Sequence, residues 1–244
     1  MGDLTDSDSA LVPVLREHVL DPLTDAQAVV QREATEIDTE RKAFDQLAQR
    51  VTTIETVPDL RPEPQAHTLR VESQLQAADQ LRQAYRETVM NVPHYEDVYG
   101  ESLETNVAAE LPPEVAVLFQ KPAGQITLDQ KTRIRAAATN ARASRETLSV
   151  NLEDEQKSLA ASHDELDAVI KQLDGPHVPG WYTAQFEATL TNSIQTRQKV
   201  LDDRPHRSRS DGHDLCHYLY ADQSWTYPVL TAVARLRNAV ECPE

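Results

Sequence analysis

TLDQKTRIRAAATNARASRETLSVNLEDEQKSLAASHDELDAVIKQL, residues Thr127 to Leu173, is the stretch from which the fold is read. At alternating steps of four and three it gives Ile134, Ala138, Ala141, Arg145, Leu148, Leu152, Glu155, Leu159, Ser162, Leu166, Val169 and Leu173. That spacing lays a mostly apolar stripe along one side of a single helix, roughly 70 Å long at ~1.5 Å per residue. Such a stripe cannot be buried by its own helix, so other segments must lie along it. Thr127 and Gln130 have the spacing of a capping box, and Gly175-Pro176 supplies a stop signal.

Working outward, a second long helix is expected to start at Thr24 as its N-cap and to run to about Thr56. Its stripe is Val30, Ala34, Ile37, Arg41, Phe44, Ala48 and Val51, broadened by Leu47 and Ile54. Residues 1–23 read as an N-terminal arm or a short docking helix, with an apolar patch bracketed by Pro13 and Pro22. Prolines 58, 62 and 64 break the chain after the second helix. Periodicity resumes at Leu69 and carries to Val92. Shorter helical segments follow around Leu103–Leu111 and in EVAVLFQ, where Pro113 suits a first turn. Beyond the long helix, Phe186, Leu190, Ile194, Arg197 and Leu201 mark another helix, and short ones close the chain near Leu215–Tyr220 and Tyr227–Val240. The expected fold is all-α: an elongated antiparallel bundle with long coiled-coil-like helices, residues 24–244 forming a single domain.

Composition agrees. Six glycines and three phenylalanines in 244 residues, with long Ala-, Leu-, Glu-, Gln- and Arg-rich segments, favour helices over sheets. The net charge of −16 repels nucleic-acid backbones and anionic membranes. Only six of the 24 basic residues are lysine. An acidic, arginine-rich chain fits a cytoplasm at multimolar salt, where the Debye length drops to ~3 Å and self-repulsion is screened. No positive leader or membrane-length apolar run is seen, so the expected location is cytoplasmic. Cys216 and Cys242 are the two cysteines, and in that compartment they are expected to be reduced.

Three stretches could carry chemistry. In the first, His206, His213, Asp214, Cys216 and His217 crowd together, and on a helix His213 faces both Cys216 and His217, a donor set that suits zinc. The competing reading is that Cys216 packs inward with Leu219 and Tyr220 while the histidines stay exposed. The second, His94, Glu96, Asp97, Glu101 and Glu104 with Tyr95 and Tyr99, could bind a cation or move protons, or could be a packing turn whose tyrosines tuck against the bundle. ExxH, the pattern of dimetal bundles, does not occur in the sequence. The third, Arg204, Arg207 and Arg209, is a local basic patch in which interleaved aromatics are lacking. GxSxG, a P-loop and a glycine-rich fingerprint are likewise missing from the sequence, so neither catalytic residues nor a cofactor are expected. The charged residues Arg41, Arg145, Glu155 and Arg197, set on apolar stripes, either fix register between helices or mark a frame that is one residue off.

AYRETVMNVPHYEDVYGESLETNVAAEL (Ala84 to Leu111), DLCHYLYADQSWTYPVL (Asp214 to Leu230) and ERKAFDQLAQRV (Glu40 to Val51) resemble segments of a haloarchaeal family of helical, coiled-coil-rich proteins of unknown function. The resemblance spans most of the chain from about residue 28. It implies a halophilic source and a helical fold, and it brings no activity or catalytic residue. The expected role is that of a non-enzymatic scaffold, adaptor or regulatory accessory protein that meets a protein partner, or itself, through helix faces. The alternatives are a zinc protein built on His213, Cys216 and His217, and a transcription-linked regulator that reaches DNA through Arg204, Arg207 and Arg209.

Overall fold

The computed structural model describes residues 7–56, 77–120, 125–173, 182–202 and 212–241. Among them the fold is all-α, as the periodicity requires. In chain order the helices are α1 (Ser7–Thr53), α2 (Ala77–Arg86), α3 (Tyr95–Val98), α4 (Leu103–Glu110), α5 (Pro113–Gln120), α6 (Leu128–Leu173), α7 (Tyr182–Asp202), α8 (Gly212–Leu219) and α9 (Pro228–Glu241), with a 3-10 turn at Val89–Asn91. The described helices belong to two compact units, one of Met1–Ala34 with Val150–Glu244 and the other of Thr35–Ser149. Both long helices, α1 and α6, contribute residues to each unit.

In the unit of Thr35–Ser149, Phe44, Leu47 and Val51 of α1 and Ile54 just after it share one core with Leu81 and Tyr85 of α2, Leu103 and Val107 of α4, Phe119 of α5 and Ile134 and Ala138 of α6. Tyr85 meets Phe119 edge to face at 5.4 Å between ring centroids. Here α1 and α6 run antiparallel: Glu40 reaches Arg145, whereas the carbonyls of Thr52 and Ile54 accept from Lys131 Nζ, each at 2.7 Å. Lys131 thereby closes the C-terminal end of α1. The start of α6 carries the expected capping box. Gln130 N donates to Thr127 Oγ1 at 3.2 Å, and Thr127 N donates to Gln130 Oε1 at 3.1 Å. Ser102 caps α4, and Pro113 occupies the first position of α5.

In the other unit, Val19, Leu20, Leu23, Ala26 and Val30 of α1 are buried, as are Leu152, Leu159, Leu166 and Ile170 of α6, Phe186 and Leu190 of α7, Cys216 of α8 and Val229, Val233 and Leu236 of α9. Arg16 pairs with Asp167 from α1 to α6. The helix expected to begin at Thr24 instead begins at Ser7 and runs through Pro22. Pro22 has no N–H to give to the carbonyl four residues back, which is that of His18. Arg235 of α9 donates to His18 O at 2.8 Å in its place. Thr24 does not cap a helix; its hydroxyl donates back to Leu20 O at 3.3 Å. A partner distant in sequence thus repairs the break that proline makes.

The second difference is local. The segment expected to stay helical to Val92 leaves the α-helix at Arg86 and tightens into the 3-10 turn. Thr88 Oγ1 donates to Ala84 O at 2.7 Å, and β-branched Thr88 and Val89 favour leaving the helix at that point. The proline-rich linker after Val57, the Gly175-Pro176 stop, the Arg204, Arg207 and Arg209 patch, His206 and Cys242 lie outside the described residues.

Candidate functional site

Burying a charge inside a helical bundle is costly unless it is paired, so the buried ionisable side chains are where chemistry or architecture has to be explained. Among the described residues each unit holds one such centre, and three of the four charged residues on the apolar stripes take part.

In the unit of Thr35–Ser149 the hub is Glu40, 6% exposed. Its Oε1 accepts from Tyr99 OH at 2.7 Å and lies 3.1 Å from His94 Nε2; its Oε2 accepts from Arg145 Nε at 3.0 Å. Arg145 Nη2 continues to Glu110 Oε2 at 2.7 Å, and the guanidinium carbon stands 4.7 Å from the centre of the Phe44 ring. Desolvation pulls the Arg145 guanidinium down, but the charges of Glu110 and Glu40 outweigh it and hold the group above its ordinary range. Burial first, and then the bond to Glu40, push the Tyr99 phenol well above the usual tyrosine range, so it stays a neutral donor.

In the other unit Arg197 of α7, 2% exposed, meets the fully buried Glu155 of α6 in a two-pronged pair: Nη1 to Oε2 at 3.0 Å and Nη2 to Oε1 at 2.8 Å. Tyr220 OH donates to Glu155 Oε1 at 2.9 Å, Arg197 Nη1 also donates to Ser158 Oγ at 2.9 Å, and Nη2 lies 3.5 Å from Cys216 Sγ. Burial, reinforced by Glu155, drives the Tyr220 phenol far above its usual range. The arrangement joins α6, α7 and the end of α8 through one carboxylate.

His213, Cys216 and His217, the donors of the zinc alternative, are not placed together to hold a metal ion. Cys216 is fully buried beside Arg197, whereas His213 and His217 bracket Tyr227. The Tyr227 hydroxyl lies 3.1 Å from His213 Nδ1 and 3.5 Å from His217 Nε2, and both rings meet its ring edge-on. One turn of α8 carries all three residues, but the buried face takes the thiol and the solvent side takes the imidazoles. Among the described residues no group of three or more His, Cys, Asp or Glu is placed to hold a metal ion. The cluster after Pro93 is a packing turn: Tyr95 is buried and donates to Glu101 O at 3.1 Å, while Glu96, Asp97 and Glu104 are exposed.

The spacing read for α1 puts Arg41 on the stripe, and the structure puts Glu40 there instead. Arg41 lies to the side, bonded to Asp38 at 2.8 Å and 3.5 Å from Glu146. The signal was present: Glu40 is three residues after Ile37 and four before Phe44, which is the stripe spacing itself. Tyr99 and Tyr220, the hydroxyl donors to the two buried carboxylates, carry no distinguishing spacing.

A family model described as a domain of unknown function, DUF7260, matches residues 21–243. No curated protein and no solved structure matches the chain.

Proposed function

Because the chain belongs to the DUF7260 family, whose description assigns no activity, we propose its role from its own geometry: a non-enzymatic helical scaffold or adaptor that works through the exposed faces of its helices. One observation carries this reading. The buried ionisable side chains Glu40, Glu155 and Arg197, with the largely buried Arg145, are bonded to side chains of other helices. Reactive groups are spent on holding helices in place. The long stripe of α6 is spent likewise: Ile134, Leu152, Leu159 and Leu166 are buried within this chain. Partner contact therefore falls on the outward faces, where Asp129, Glu153, Asp154, Lys157 and Asp164 stand exposed along α6. Among the described residues no helix is long and apolar enough to cross a membrane. The acidic, lysine-poor composition supports a halophilic, cytoplasmic setting.

The test is affinity purification from a high-salt cytoplasm, with carboxylate-directed cross-linking and mass spectrometry. A reproducible partner, or a second copy, linked through Glu153, Asp154 or Asp164 is the expected result. Links confined to one chain would overturn the adaptor reading.

A further inference from the structure

The segment between Val92 and Gly100 is attached to its unit differently from its neighbours. Its backbone hydrogen bonds close on themselves: Tyr95 N to Val92 O, Val98 N to His94 O, and Tyr99 N and Gly100 N both to Tyr95 O, at 2.8 to 3.0 Å. Its buried apolar side chains, Val92 and Tyr95, join Ala43 of α1 in a small cluster of three, against which Tyr99 packs and which touches the main core's surroundings through the partly buried Met90. The rest of its hold on α1 is concentrated on a single oxygen, Glu40 Oε1, which takes Tyr99 OH and faces His94 Nε2. At its far end Gly100 adopts φ +54, where a Cβ would be strained and would come within 3.2 Å of Glu96 O. Tyr95 OH donates to Glu101 O across the Gly100 turn, so that bond holds the segment to the chain just beyond it and not to α1. A self-bonded segment with a small apolar cluster and a polar latch is what a low-stability opening unit consists of.

We propose that residues 92–100 form a strap that lifts from α1 as one unit, hinged at Gly100 and latched by the Tyr99 and His94 side chains on Glu40. Lifting it uncovers Ala43 and Glu40 while the core around Phe44 and Leu47 stays closed. Arg145, held by Glu110 as well, keeps a carboxylate partner when Glu40 turns to solvent. The strap is a conformational device of the fold and does not depend on the adaptor reading.

Native-state amide hydrogen exchange on the full chain, followed by NMR at increasing sub-denaturing urea, tests it. The amides of residues 95, 98, 99 and 100 should exchange together and faster than those of Phe44, Leu47 and Val51, whose exchange reports opening of the core. Tyr99→Phe removes one latch bond to a charged acceptor and should speed the four strap amides about tenfold, leaving the α1 amides unchanged. Strap amides that exchange only with the core, a Tyr99→Phe effect equal on both sets, or no effect on the strap would each overturn the proposal.

Discussion

Arg197 and Glu155 show how much depends on a single side chain in this fold. Each is buried, and each answers the other's charge through two parallel bonds. Such a pair stabilises little compared with well-packed apolar residues, because both ions lost their hydration to form it. Removing one partner is another matter, since it strands the other charge. Arg197→Met is expected to cost about 3–5 kcal/mol in urea denaturation followed by circular dichroism. Arg197→Met combined with Glu155→Leu is expected to recover most of that loss, leaving Tyr220 without its acceptor as the residual cost. If the single substitution costs under ~1 kcal/mol, the pair is not buried as described.

At the scale of elements, helix ends matter more than helix interiors. The first turn of α6 depends on the reciprocal bonds between Thr127 and Gln130, while the C-terminal end of α1 and the Pro22 turn lean on Lys131 and Arg235 from distant parts of the chain. Thr127→Ala should lower stability by about 1 kcal/mol. Thr132→Ala, only five residues on, should leave stability unchanged or slightly raised. The Thr132 side chain is exposed and only bonds back to Leu128 O, and alanine is the better helix former. Equal losses for the two substitutions would refute the cap as the source of the difference.

For the whole molecule the governing quantity is the charge of −16. Local pairs such as Arg133 with Asp129 and Lys171 with Asp167 offset only part of it. Self-repulsion among exposed carboxylates opposes the compact state, and salt removes that opposition as the Debye length falls from ~10 Å at 0.1 M to ~3 Å at 1 M. The buried pairs of Glu155 and Glu40 are screened much less, so added salt should relieve repulsion without dissolving them. The melting temperature should therefore rise steadily between 0.1 and 2 M potassium chloride. A flat or falling profile would remove the halophilic reading.

Local sequence pattern suffices for the helical character of the described residues, for the apolar faces of α1 and α6, and for several helix ends. These follow from spacing within a few residues: the stripe of Ile134, Leu152, Leu159 and Leu166, the Thr127–Gln130 box, and Pro113 in a first turn. Contacts between distant segments settle that α1 passes through Pro22, and they choose between readings the spacing leaves open: Glu40 over Arg41 as the inward residue, and Cys216 turned to Arg197 with His213 and His217 turned to Tyr227. The physical reason is the same in each case. A carbonyl freed at residue 18 or a carboxylate buried at residue 40 is tolerated only when a donor arrives from residue 235 or 145, and no local pattern encodes that arrival.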